Sequence, residues 1–557
     1  MRKLIYRILP GIGAVIALTA CAAPVPPAAE AAADSRPNVV FFIADDMLPR
    51  HFNCLPEGKG RNLTPNIDRL AEEGTVMMEQ YCASPICTPS RYNVLTGTYA
   101  SRAQNSGFKW NTQQNDGQTK VEFNTHIIKG DTTLPGLLKK AGYFTGMAGK
   151  NHVVEVDGHP YSRKQFPDSN ASAKDPRNVS LLKTNHDHVC QAIREVGFDE
   201  VDRVFHNNPH FLGLHELAVQ NMDWITEGGV NFLKKAAKQR VGSRGTEQPP
   251  FFLYIATTVP HGPTKGPKSW NADPLLSPLG YLEKAPNVQP ARETIPERVA
   301  AAGLPVNDDT CNLLWIDDAV GALIGTLEET GALDNTVIFF YSDHGQKSKG
   351  TLYEGGIHNP SIVWKKGGWP VGATSDALVH IVDFAPTILD MAGAEISDVE
   401  FDGESFLPYL DGEEQTGERI MYYELGYARA VRQGNWKYLA LRYPEDVTDM
   451  TLEERTELLE EWNEARRHRH QNIVTEDPTK PFSHLTAIPG GGDAEKSSTG
   501  SYPAYYDVDQ LYNLDADPNE QVNLANNPEY KAKLAEMKQI LEEHVQHLPG
   551  TFGEFGK

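Results

Sequence analysis

Apolar and polar positions along the chain follow two rhythms. Asn38-Val39-Val40-Phe41-Phe42-Ile43 is an almost unbroken apolar run, which predicts a buried strand, and it leads directly into Asp45-Asp46. Residues 251–255 and 336–341 have the same texture; the first ends before Pro260-His261 and the second is followed by Asp343-His344. A further short strand is predicted to end near Gly149-Lys150. Helical periodicity separates these runs. Thr64-Pro65 opens a helix that Gly74 closes, with Ile67 and Leu70 facing inward. Residues 134–140 form another, and residues 311–329 a longer one with Leu313, Ile316, Val320, Leu323, Ile324 and Leu327 on its buried side. This alternation predicts an α/β fold with a large, mostly parallel central sheet flanked by helices. In such sheets ligands bind beyond the C-terminal strand ends, which is where these Asp, Lys and His residues fall.

After about residue 418 the texture changes. Residues 421–424, 428–432, 436–440 and 511–514 predict short antiparallel strands with Gly and Asn turns, and residues 528–547 a final amphipathic helix. A large domain over 37–417 is therefore expected to carry a smaller C-terminal domain of antiparallel sheet plus helix over 418–557. Within the latter, about 443–502 is an insertion with a charged helix, the basic run Arg466-Arg467-His468-Arg469-His470 and the loop Gly490-Gly491-Gly492.

The N-terminus and the charge place the chain more narrowly. Arg2, Lys3 and Arg7 precede an apolar stretch over 8–20, too short for the roughly 20 residues of a membrane span, so residues 1–20 are expected to be a signal peptide. Leu18-Thr19-Ala20-Cys21 resembles the lipobox of bacterial lipoproteins. That resemblance implies a lipid anchor at Cys21, a tether over 21–36, and an exported lipoprotein of the periplasm or cell surface, held in the outer membrane. The 557 residues carry 52 Lys+Arg against 74 Asp+Glu, a net charge of −22, which argues against a nucleic-acid partner. An anionic substrate would have to be captured by a few basic groups in a cleft. Cys54, Cys82, Cys190 and Cys311 are left as either disulfide partners or buried thiols, and the sequence does not choose.

The chemistry is carried by Cys87-Thr88-Pro89-Ser90-Arg91-Tyr92-Asn93-Val94-Leu95-Thr96-Gly97. It resembles the sulfatase signature C-x-P-S-R-x-x-x-L-T-G at every fixed position, and so the chain resembles the type I sulfatases of the alkaline-phosphatase-like superfamily. The resemblance implies that Cys87 is oxidised by a dedicated maturation enzyme to formylglycine, whose hydrated aldehyde is the nucleophile. Pro89 can begin a helix, setting position 87 beside its positive end, and Arg91 is near enough to brace the diol.

The family resemblance extends along most of the chain. Asp45-Asp46 and Ser342-Asp343-His344-Gly345 match the family's metal ligands, implying one Ca²⁺ held by Asp45, Asp46, position 87, Asp343 and His344. Imidazole is a less usual calcium ligand. Gly149-Lys150-Asn151-His152 matches G-K-x-H, which implies that Lys150 contacts sulfate and His152 takes the proton that releases it. Pro260-His261-Gly262-Pro263 matches P-H-x-P, making His261 the acid for the leaving oxygen. Lys349, in Lys349-Gly350-Thr351-Leu352-Tyr353-Glu354-Gly355-Gly356, matches a second sulfate-binding lysine ahead of its neighbour Lys347.

The activity expected from this resemblance is that of a sulfuric ester hydrolase acting on a sulfated carbohydrate, the diol hydroxyl losing its proton near Asp343. Two rivals remain: a phosphonate or phosphate ester hydrolase of the same superfamily, and a non-catalytic lipoprotein that binds sulfated glycan. His206, His210 and His215 have no standard metal-site spacing. Arg466, Arg467 and Arg469 read either as a solvated helix end, where basic residues complement the helix dipole, or as a patch that reaches the active-site rim and holds flanking sulfates.

Overall fold

The apolar run at 38–43 becomes the middle of an eight-stranded sheet. The structure, a computed structural model, describes residues 36–157, 165–166, 168–242, 249–443, 448–468, 473–479 and 500–556. In chain order the strands of this sheet are β1 (Asn38–Asp45), β2 (Thr75–Met77), β3 (Phe144–Lys150), β4 (Glu200–Phe205), β5 (Phe251–Pro260), β6 (Thr336–Ser342), β7 (Ser361–Lys365) and β8 (Ala373–Ser375). Across the sheet the order is β8-β2-β7-β6-β1-β5-β3-β4. The five strands from β6 to β4 are all parallel, and β7 runs antiparallel to both β6 and β2.

Alternation along β1 explains why its run is apolar throughout. Phe41 stacks on Tyr254 and Phe339 and meets Phe384 edge-on, so one face packs under helix α7 (Phe384–Met391). The strand partners Leu253 and Ile255 point the other way, close to Gly229 of helix α5 (Met222–Gly242). The lower-numbered helices are α1 (Pro65–Glu73), α2 (Cys87–Thr96), α3 (Leu134–Lys140) and α4 (Pro176–Glu195), and α6 (Asp308–Glu329) packs against α5. Helix α1 has the predicted bounds, with Ile67 and Leu70 buried. Helix α6 starts three residues earlier than its apolar periodicity predicts, because Asn307 and Thr310 form a capping box. Strand β5 runs past residue 255 to Pro260, since neighbouring β1 supplies partners as far as Asp45.

The later strands β9 (Ile420–Leu425), β10 (Ala428–Gln433), β11 (Trp436–Leu441) and β12 (Asp509–Asn513) form a separate antiparallel sheet in that order. Helix α8 (Leu452–His468) lies in the insertion, and the final helix α9 (Lys531–Val545) covers β10 and β11 after a 3₁₀ turn at Pro528–Tyr530. The α/β class with a small antiparallel sheet and helix is as the pattern predicts.

The expected signal peptide, Cys21 and all of the expected tether except Arg36 lie outside the described residues, as do Arg469 and the Gly490–492 loop. No helix among the described residues is long and apolar enough to cross a membrane. In the insertion, Arg466 is buried with its guanidinium over Trp462, and Arg467 pairs with Glu476 at 2.8 Å. Cys54, Cys82, Cys190 and Cys311 are all free thiols.

Candidate active site

Four neighbouring parallel strands deliver their C-terminal residues to one level. Ala44 pairs with Ser342, Asp45 with Pro260 and Gly149 with Ala256, so the residues just beyond meet in one place. Asp45 ends β1, Asp343 and His344 follow β6, His261 follows β5, and Lys150 ends β3. Local backbone demands accompany this. Gly149 has φ +92° and an added Cβ would lie 1.9 Å from the Ala256 carbonyl oxygen, so only glycine brings Lys150 in at this angle. Asp46 sits at φ 65°, a strained setting for a side-chain residue, and its N–H donates to Asp343 Oδ1 at 3.2 Å.

Helix α2 brings the signature in from above the sheet. Every residue of it is buried, although it carries Cys87, Ser90, Arg91 and Asn93. Cys87 is its first residue, where the helix end is electropositive, and Pro89 falls within the first turn, whose N–H groups have no helical acceptor. The Ser90 hydroxyl donates to the Asp343 carbonyl, fastening the helix to the end of β6.

Around Cys87 Sγ the side chains converge. The thiol donates to Asp45 Oδ1 at 3.3 Å, His344 Nε2 is 3.6 Å away, and Lys349 Nζ donates to the sulfur at 3.7 Å. Lys150 Nζ donates to Asp45 Oδ2 at 2.6 Å, and Lys349 Nζ to Asp46 Oδ1 at 2.6 Å. Arg91 Nη2 lies 3.2 Å from Asp343 Oδ2 and 3.8 Å from Asp45 Oδ2. His261 Nε2 stands 3.6 Å from Asp46 Oδ2 at the open side. Lys347 is exposed, whereas Lys349 is in the site.

Ligand atoms of Asp45, Asp46, Cys87, Asp343 and His344 all lie within 4.8 Å of one another. Three carboxylates and an imidazole make a mainly hard, oxygen-rich donor set, which fits a divalent cation such as calcium. Their negative charge is compact enough that Lys150, Lys349 and Arg91 fold in against it. His206, His210 and His215 join no such group among the described residues.

The electrostatics divide the carboxylates. Burial works to raise Asp45, but Lys150, His261 and Arg91 overcome it and hold the carboxyl well below its usual range. Burial likewise opposes Lys349 and His344 at Asp46, which also ends low. Asp343 is raised, by burial and then by Asp45. Burial and Asp45 also raise the Cys87 thiol against the pull of Lys150 and Lys349. His152, with φ +52° and its ring 5.8 Å from Phe123, is held well below its ordinary value by burial and by Lys150 and Arg91. Its buried Nδ1 has no hydrogen-bond partner among the described residues.

Several residues of the site escape sequence reasoning. Asn208 Nδ2 lies 3.0 Å from His261 Nε2, His210 stacks on the His261 ring at 5.9 Å, and Gln220 Nε2 donates to the His261 carbonyl at 2.8 Å. Asn208 and His210 follow β4, an edge strand whose Glu-Val-Asp-Arg-Val-Phe pattern is too polar to announce itself.

The sulfatase family model matches residues 37–394, and the model of the N-sulphoglucosamine sulphohydrolase C-terminal region matches residues 342–467. The chain is 25% identical to N-acetylgalactosamine-6-sulfatase of Mus musculus over 93% of its own length and 88% of the relative's. It is 25% identical to an ulvan-active sulfatase of Formosa agariphila, over 90% of this chain and 78% of the other. The crystal structure of Ps i-CgsB in complex with k-i-k-neocarrahexaose superposes with a TM-score of 0.55 at 20% identity, covering 91% of this chain and 92% of that one. With its signature helix, carboxylate cluster and more than half its length matched, the chain belongs to the sulfatase family and is a sulfuric ester hydrolase.

Proposed function

We propose that this enzyme releases sulfate from a sulfated carbohydrate, with position 87 oxidised to formylglycine and a calcium ion held by Asp45, Asp46, Asp343, His344 and that residue. The observation that carries the reading is Cys87 at a buried helix N-terminus, its thiol set among three carboxylates and two lysines. When present, formylglycine would supply a hydrated aldehyde as nucleophile, and calcium would supply positive charge for the sulfate oxygens.

The remaining work belongs to the chain's own side chains. Lys150 and Lys349 bind the equatorial oxygens of sulfate and balance charge as the ester bond breaks. Arg91 braces Asp343 and Asp45, fixing the base and the metal ligands. His261 stands at the open side to protonate the departing alcohol; burial holds it below its ordinary value against the pull of Asp45 and Asp46, and the negative charge of an incoming sulfate ester would work to raise it. His152, kept neutral, is suited to take the proton whose loss releases sulfate.

Two features favour a carbohydrate. A cleft of about 630 Å³ opens from Asp46 and His261 between Arg50, Lys265 and Gln346, enough for more than the sulfate group itself. Phe211 and Phe123, both exposed, lie beside His210 and His152 and offer apolar faces to a sugar ring. One relative is an ulvan-active sulfatase. We further propose export, lipidation at Cys21 and encounter with a formylglycine-generating maturation enzyme, on the strength of the N-terminal sequence and the Cys87 signature.

The test is mass spectrometry of the peptide containing residue 87 after co-expression with the maturation enzyme, coupled to release of inorganic sulfate from defined sulfated oligosaccharides. Formylglycine at 87 with sulfate release is the expected result. Unmodified, fully active cysteine would overturn it, and faster release of alcohol and phosphonate from a phosphonate monoester would favour the rival hydrolase.

A further inference from the structure

Lys349 sits on a stretch with no regular secondary structure. Residues 346–353 are turns and bends, yet the ammonium must stay within reach of Asp46 and Cys87. The Gly350 N–H donates to the Pro85 carbonyl at 3.0 Å, and further hold on this loop comes from the C-terminal part of the chain. Where the insertion returns toward β12, the Tyr502 ring lies flat on Tyr353, with centroids 3.7 Å apart and planes 6° apart. The Tyr502 hydroxyl and Ser348 Oγ are 2.6 Å apart in a buried hydrogen bond. One side chain therefore grips the loop on both sides of Lys349, at the residue before it and at the fourth residue after it. Gly355 makes room: a Cβ there would lie 2.7 Å from Ser348 Oγ and 3.2 Å from the Tyr502 hydroxyl. Beyond this clamp, Tyr353 donates to Gln510 Oε1 at 2.9 Å, and Glu354 is bound by Lys437 at 3.1 Å.

We propose that Tyr502, at the far end of the insertion, is a positioning residue that fixes Lys349 over the sulfate site. The insertion acts on catalysis through this anchor. The proposal rests on the sulfatase reading of Lys349. A ring stack plus a buried hydroxyl bond costs little entropy to maintain, because tyrosine has only two side-chain torsions to fix. Small displacements of a charge-stabilising group cost rate steeply.

The test uses the full chain carrying Tyr502→Ala or Tyr502→Phe, assayed well below the melting temperature of each. Tyr502→Ala is expected to raise both KM for a small aryl sulfate and the inhibition constant of inorganic sulfate, roughly tenfold and in parallel. Tyr502→Phe, which keeps the stack, should recover most of this. Adding Tyr502→Ala to Lys349→Ala should cost no further activity, since the tyrosine acts through the lysine. Hydrogen exchange of the peptide spanning 343–356 should rise in Tyr502→Ala. Wild-type exchange together with a wild-type sulfate inhibition constant would overturn the proposal, as would full additivity with Lys349→Ala. A wild-type enzyme that released no sulfate would instead defeat the functional reading, and the exchange measurement would then decide the clamp by itself.

Discussion

Lys150 Nζ and Asp45 Oδ2 are 2.6 Å apart, and neither side chain has any contact with solvent. A buried pair of this kind adds little net stability over an apolar pair, but removing one member strands the other charge. Lys150→Ala should therefore lose nearly all sulfate release and destabilise the fold by about 3–5 kcal/mol. Calcium should recover part of that stability, because Asp45 gains another positive partner. Melting curves with and without calcium check both points; a variant as stable as wild type in chelator would refute the pairing.

Asp45→Asn and Asp343→Asn each remove an anionic oxygen from the candidate metal cluster, so metal binding and activity should fall together. Calcium at about a hundredfold its Kd should stabilise the wild-type fold by about 2.7 kcal/mol, and chelation should reverse this. Calorimetric titration of the chelated protein measures it, and activity undiminished after exhaustive chelation would contradict it.

His261 faces the open cleft and serves the leaving group, so its loss should depend on the alcohol. His261→Ala should fall about 10²–10⁴-fold on a sugar sulfate, whose alkoxide leaves badly, and far less on an aryl sulfate. Asn208→Ala, which removes a partner of the His261 ring, should shift the alkaline limb of the pH profile, where the acid loses its proton, in the same substrate-dependent way. Equal losses on both substrates would move the acid role elsewhere.

Arg50 and Lys265 line the cleft and hold only loose ion pairs, at 3.4 Å to Asp309 and 3.9 Å to Asp308. Replacing both with Ala should raise KM on a polysulfated oligosaccharide several-fold and leave a small aryl sulfate unaffected. Steady-state kinetics on the two substrates decides it.

His380 is buried, with Nε2 2.8 Å from the Tyr422 carbonyl, and burial lowers it to about 4. The unfolded chain takes up this proton near pH 6.5 and the folded chain only near 4. Stability from this group is thus complete above about pH 6.5 and falls as pH drops toward 4, by about 3 kcal/mol in all. The melting temperature of His380→Gln should fall less than that of wild type between pH 7 and 4.5. Parallel curves would remove His380 from the acid sensitivity.

Much of the site could be read from the chain because its residues are tied to strand ends. A parallel strand buried on both faces must be apolar throughout, so β1, β5 and β6 announce themselves, and the first polar residues beyond them mark the sheet edge. Cys87 and Arg91 needed only the local signature of α2. Polar edge strand β4 left no such mark, which hid Asn208 and the part His210 plays beside His261. Sequence spacing could not tell that Arg466 is buried against Trp462, or that Tyr502 crosses to lie on Tyr353. Local composition fixes which segments are strands or helices and which residue types stand at their ends. Contacts between residues about 150 positions apart, such as Ser348 with Tyr502, depend on how two sheets pack, and only the tertiary structure decides them.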